Sequence, residues 1–129
     1  MIFGALVTHC GLDEAAAARL LGVQPRRVRR WRRSGAPASA IQALCSLQQR
    51  QFDAACAAID AHEDAETEGP LVFDVPGDDA GAEAAGWPSR QAMVMIAVIA
   101  QTEAPDLTVT LRGPESHEDA AEPSEEPAQ

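Results

Sequence analysis

Arg26, Arg27, Arg29, Arg30, Arg32 and Arg33 fill six of the eight positions from Arg26 to Arg33, with Val28 and Trp31 between them. A guanidinium stays charged and donates through a planar fork, so the cluster suits anionic oxygens and the acceptor edges of bases. So many like charges repel one another unless anions meet them. If the run is helical, advancing about 100° per residue from Val28 puts Trp31 near −60°. Arg26, Arg30 and Arg33 then fall at about 140° to 200°, and Arg29 near 100°. The apolar pair faces away from the cations, which is the division a helix needs to be anchored from behind while it lies in a major groove.

No other residue set reaches this specificity. His9, His62 and His117 are scattered, and Cys10, Cys45 and Cys56 show neither a CxxC pair nor zinc-finger spacing to a histidine. Asp78-Asp79 is not followed by the spacing of a calcium loop, and no phosphate-binding glycine loop occurs. No metal, cofactor or catalytic constellation is expected, and the reading is of a non-enzyme. The thiols are expected to pack as small hydrophobes, Cys45 and Cys56 in particular.

The arginine run must be positioned by its neighbours. Ile2, Phe3, Leu6 and Val7 recur at helical spacing before Gly11. Asp13 suits an N-cap for a second helix, Glu14 to Leu21, and Gly22 its C-terminal turn. Pro25 suits the first turn of a third helix ending near Arg33, because its missing N–H would have no intrahelical partner there. A long helix from Pro37 or Ser39 to about Glu63 follows, with Ile41, Leu44, Cys45, Gln48, Phe52, Ala55, Cys56 and Ile59 on one stripe. Gly69-Pro70 closes an acidic linker. Beyond it, Leu71 to Val75 reads as a strand and Ala80 to Ala85 as at most a weak helical turn. Ser89 caps a helix over Arg90 to Thr102, and the alternation of Leu107, Val109 and Leu111 with threonines gives a second strand. The helix is apolar nearly all round, which suggests burial on more than one face.

The segment from Gly11 to Leu44 resembles the helix-turn-helix of phage repressors of the Cro/C1 type. Ala16 and Leu20 stand at the inward positions of the first motif helix, Gly22 in the turn, Val28 and Trp31 at the core positions of the second, and Gly35 and Pro37 before the next helix. Arg32 departs from the pattern, which commonly has an acid one residue past the aromatic. The resemblance implies that Arg26 and Arg30 read base edges, where arginine donates bidentately to guanine O6 and N7. It assigns Arg27, Arg29 and Arg33, with Gln24 at the helix mouth, to the phosphate backbone.

The strand over 71 to 75, Gly86-Trp87 and the apolar helix after Ser89 are similar to the C-terminal dimerisation domain of anti-CRISPR-associated repressors. That likeness implies a small homodimeric autorepressor of a phage or mobile-element operon that binds an inverted repeat in double-stranded DNA. Phe73, Trp87, Met93, Ile96 and Ile99 would form its interface. A dimer presents two such helices about 34 Å apart, one turn of DNA.

The fold expected is mainly α with a small α+β part: a helix-turn-helix domain over 1–65, a strand-helix-strand dimerisation domain over 66–112, and a disordered acidic tail over 113–129. The 129 residues leave room for no large multi-domain enzyme. The formal charge of −10 hides an asymmetry. Residues 1–52 hold eight arginines against two acids, whereas residues 53–129 hold two arginines against eighteen acids. The basic element therefore sits on an acidic body that repels loosely bound polyanions and favours specific sites. No signal-peptide pattern opens the chain, and the longest apolar run, Ala92 to Ala100, is too short to span a bilayer, so a cytoplasmic protein without membrane contact is expected.

Two other readings use the same residues. In one, the protein is an antitoxin-like interaction module, which a neighbouring toxin gene would favour. In the other, RNA is the partner and a stem-loop replaces the duplex repeat. The acidic tail is read as a solvating appendage, or as an intramolecular competitor for the arginines.

Overall fold

The computed structural model describes residues 2–113, so the expected tail lies, from residue 114 onward, outside the described residues. Six helices and one two-stranded sheet make up the described part, and none of its helices is long and apolar enough to cross a membrane. The fold is thus mainly helical with a small sheet.

Helix α1, Ile2–His9, buries Phe3 and Val7. The chain then passes Gly11 at φ +79°, where a Cβ would lie 2.6 Å from the Gln91 carbonyl oxygen. Only glycine allows that approach together with left-handed backbone. The Asp13 carboxylate accepts from the Ala16 N–H at 2.8 Å, which caps helix α2, Glu14–Leu21. Gly22 ends α2 at φ +70°. Helix α3, Pro25–Ser34, opens with proline in its first turn and stops at Gly35. These are the two short helices and tight turn that the caps predict.

Helix α4, Ala38–Asp64, has 27 residues and joins two clusters of buried side chains. The first contains Phe3, Val7, Val28, Leu44 and Leu47, and α6, Arg90–Glu103, contributes Ala92 to it. The second contains Ala55, Ile59, Leu71, Ile96 and Ala100. Trp87 packs partly against both, so packing crosses the boundary drawn at residue 65.

Strands β1, Leu71–Asp74, and β2, Val109–Arg112, pair in parallel, with Leu71 opposite Val109 and Asp74 opposite Arg112. The crossover between them carries helix α5, Asp79–Ala84, and then α6. The weak turn expected over Ala80 to Ala85 is therefore a capped helix, because the Asp78 carboxylate accepts from the Gly81 N–H at 2.9 Å. Gln101 secures the start of β2. Its Oε1 accepts from the Val109 N–H at 3.0 Å while its Nε2 donates to the Leu107 carbonyl.

Three expectations about the core are corrected. Leu20 is 36% exposed, because α2 packs through Ala16, Ala17 and Ala18, with Leu21 rather than Leu20 against the cluster. The buried row of α4 is Ala40, Leu44, Leu47, Gln51, Ala55 and Ile59, so Phe52 is 39% exposed. That rotation also leaves Cys45 exposed and Cys56 half-buried, so neither is a core thiol. The physical reason is Gln51. Its Nε2 donates to the carbonyls of Cys10 at 2.9 Å and Ala92 at 3.0 Å, which turns a polar residue inward and ties α4 to both α1 and α6.

Candidate nucleic-acid interface

Helix α3 is held from one side. Val28 is fully buried, and the Trp31 ring meets Phe3 edge-on with centroids 5.7 Å apart and planes at 86°. That arrangement of aromatic quadrupoles is favourable and locks the helix against α1. Arg26, Arg27, Arg29, Arg30 and Arg33 are exposed, as is Gln24 at the helix mouth. Arg32 is half-buried; a methyl at Gly4 would stand 3.9 Å from its Cγ, so its stem lies along α1.

Among the described residues, α3 forms a single ion pair, between Arg29 Nη1 and Glu14 Oε1 at 2.9 Å. Both side chains are more than a third exposed, so the pair contributes little to stability and its guanidinium is readily surrendered to another anion. Arg26, Arg27, Arg30 and Arg33 have no carboxylate within ion-pair distance among the described residues. The structure thus gathers the four on the solvent side of a braced helix. Such a face can grip several phosphates or base edges at once.

Two arginines outside the run are not singled out by the sequence pattern, and of these only Arg19 borders α3. Arg19 of α2 shares a depression with Gln24 and Arg27, and its guanidinium is paired with Glu83 at 2.9 Å and Asp79 at 3.6 Å. Arg50 of α4 lies 4.4 Å from the Trp87 ring centroid and donates to the Gly86 carbonyl at 2.9 Å. Each tie joins residues far apart in the chain, so the only signal in the sequence is the isolation of Arg19 and Arg50 from other cations.

The residues expected at a dimer interface separate. Ile96 is 5% exposed and packs inside its own chain, in the second cluster. Its neighbours on the helix predict a surface position only if α6 is uncovered, whereas α4 covers that side. Phe73, Trp87, Met93 and Ile99 are half-buried, with Phe73, Trp87 and Ile99 against the second cluster. Among the described residues no group of three or more His, Cys, Asp or Glu side chains is placed to hold a metal.

Burial drives the Cys10 thiol up from 9.0 to about 11, with the nearby Cys45 adding to the shift, and its Sγ–H donates to the Leu44 carbonyl at 3.6 Å. At the far end of the sheet, hydrogen bonds from Arg112 hold the Asp74 carboxyl below its usual range. No protein-family model and no curated protein sequence matches this chain.

Proposed function

We propose that this chain is a sequence-specific DNA-binding repressor with α3 as its recognition helix. One observation carries the reading: Arg26, Arg30 and Arg33 stand exposed opposite the Val28 and Trp31 anchor, with Arg27 exposed on the flank, and none of the four has a carboxylate of the described residues beside it. In an acidic chain without lysine, such a cationic face makes sense as a seat for an external polyanion.

The helix-turn-helix reading assigns α2 to the DNA backbone and α3 to the major groove. Arg26 and Arg30 reach guanine edges, while Arg27, Arg33, Gln24 and, once released from Glu14, Arg29 hold phosphates. Neutralising phosphates releases counterions, which supplies affinity; base contacts supply discrimination. One small helix offers few base contacts, so the protein acts as a homodimer on an inverted repeat. Phe73, Trp87, Met93 and Ile99 are the candidate contacts between copies. The resemblance to anti-CRISPR-associated repressors makes the target the promoter of its own phage or mobile-element operon.

The deciding experiment is a footprint of the full chain on the DNA upstream of its gene, with random duplex as competitor. The expected result is a protected inverted repeat with half-sites about 34 Å apart, sensitive to methylation at guanine N7. Equal affinity for random duplex, or no protection, would remove the reading.

A further inference from the structure

The turn between α2 and α3 encloses a recess of about 460 Å³, lined by Arg19, Gln24 and Arg27 together with Gly22 and Val23. Two guanidiniums and an amide face it, and no carboxylate of the described residues lines it. Arg19 forms the wall between this recess and a second one on the side of α5, where Glu83, Gly86 and Pro88 lie. Its guanidinium is spent on that second side: Nε meets Glu83 at 2.9 Å, and Nη2 meets Asp79 at 3.6 Å and the Pro88 carbonyl at 3.4 Å. The side chains of Arg19, Asp79 and Glu83 are 44% to 48% exposed, so water and salt compete for both ends of each pair and hold the guanidinium there only weakly. Across the recess, Arg27 has no carboxylate within ion-pair distance among the described residues, and the Gln24 side chain makes no capping hydrogen bond to α3.

We infer that this recess seats one backbone phosphate of a bound duplex and that Arg19 is its third ligand, transferred from Glu83 and Asp79 to the phosphate when DNA binds. The inference rests on the function proposed above and adds to it a residue of α2 beside Gln24 and Arg27. A phosphodiester presents two charged acceptor oxygens, which fit the planar fork of a guanidinium. On the α5 side Arg19 meets its carboxylates alone; in the recess a phosphate receives Arg19, Arg27 and Gln24 together, and its counterions are released. The contact carries no sequence information, so it fixes the register of α3 and strengthens every duplex alike. Glu83 is then a competitor built into the fold, and binding of DNA loosens the tie between α2 and α5.

The test is a cycle of three full-length variants, Arg19→Gln, Glu83→Gln and the two combined, each titrated with the DNA upstream of the gene and with random duplex. At about 50 mM salt, Glu83→Gln should bind both duplexes about threefold more tightly, converging with the native chain as salt rises. A folding defect cannot imitate that gain. Arg19→Gln should bind both about fivefold more weakly and flatten the salt dependence by about one unit of slope. Adding Glu83→Gln to Arg19→Gln should change nothing further. A gain from Glu83→Gln that persists without Arg19 is the general effect of removing one negative charge and would overturn the inference, as would native affinity in Arg19→Gln. The Arg19 Nε–H resonance should move when duplex is added, while that of Arg112, tied to Asp74 at the far end of the sheet, stays in place. An equal movement with inorganic phosphate alone would mark a site for free anions and refute the backbone assignment. Weakened binding by Arg30→Ala beside native binding by Arg19→Gln would leave the recognition helix standing and remove Arg19 alone; a native chain that binds no duplex would remove the proposed function and the ligand of the recess with it.

Discussion

A guanidinium is worth what it faces. On α3, Arg30 and Arg33 have the same chemistry and no ion-pair partner among the described residues, yet the repressor reading gives them different tasks. Arg30→Ala should cost roughly 1 to 3 kcal/mol on the operator and relax base preference, whereas Arg33→Ala should weaken all duplexes alike and flatten the salt dependence by about one unit of slope. Titrations of operator and random duplex across salt concentrations separate the two; sequence-independent losses at both positions would refute the division. Cys10 makes a different test. Its folded thiol loses a proton only near 11, while in the unfolded chain it does so near 9.0. Above pH 9 the unfolded state therefore binds fewer protons, and stability falls as pH rises. Denaturation midpoints should be insensitive to this group below pH 9 and lose on the order of 2 to 3 kcal/mol towards pH 11. The Cys10→Ala variant should lack that alkaline slope.

Helices this short depend on their ends, and α2 and α3 have 8 and 10 residues. Replacing Asp13 by Ala removes the acceptor for the Ala16 N–H and should cost about 1 kcal/mol. Gly11→Ala should cost more than about 2 kcal/mol, because it combines a left-handed backbone with a clash against the Gln91 carbonyl. Urea unfolding of both variants gives the order; a Gly11→Ala cost no larger than that of Asp13→Ala would show that α1 and α6 can separate without penalty. The Gly11 contact matters beyond stability. The Ser89 hydroxyl donates to the Gly11 carbonyl at 3.1 Å, and Gln51 donates to that of Cys10, so the start of α6 and the middle of α4 grip the same turn. Through that turn, the orientation of α3 is coupled to the sheet-bearing half of the chain.

At the size of one chain, four of the six exposed large apolar side chains, Phe52, Val72, Val98 and Leu111, lie in the half that carries the sheet or on the part of α4 leading to it, while Ile2 and Leu20 stand on α1 and α2. A two-stranded sheet is marginal by itself, and the proposed dimer would add burial to it. Sedimentation should give a mass twice the 13.6 kDa of one chain at the concentrations where operator is bound. A monomer under those conditions would remove the two-fold account of the half-sites and leave α3 with too few base contacts for useful discrimination.

Much of the arginine face is legible in the order of the residues alone. Asp13, Gly22 and Pro25 mark helix ends by local backbone chemistry, and the angular separation of Val28 and Trp31 from the cations follows from helical period. Periodicity does not place the inward row of α4, because Gln51 is held inside by carbonyls of Cys10 and Ala92, forty-one positions away on either side. Nor does it pair Arg29 with Glu14 or Arg19 with Glu83, or set β1 and β2 parallel. Short-range preferences of the backbone are written in neighbouring residues, whereas the burial of a polar group or the pairing of a charge is decided by whichever distant segment packs beside it.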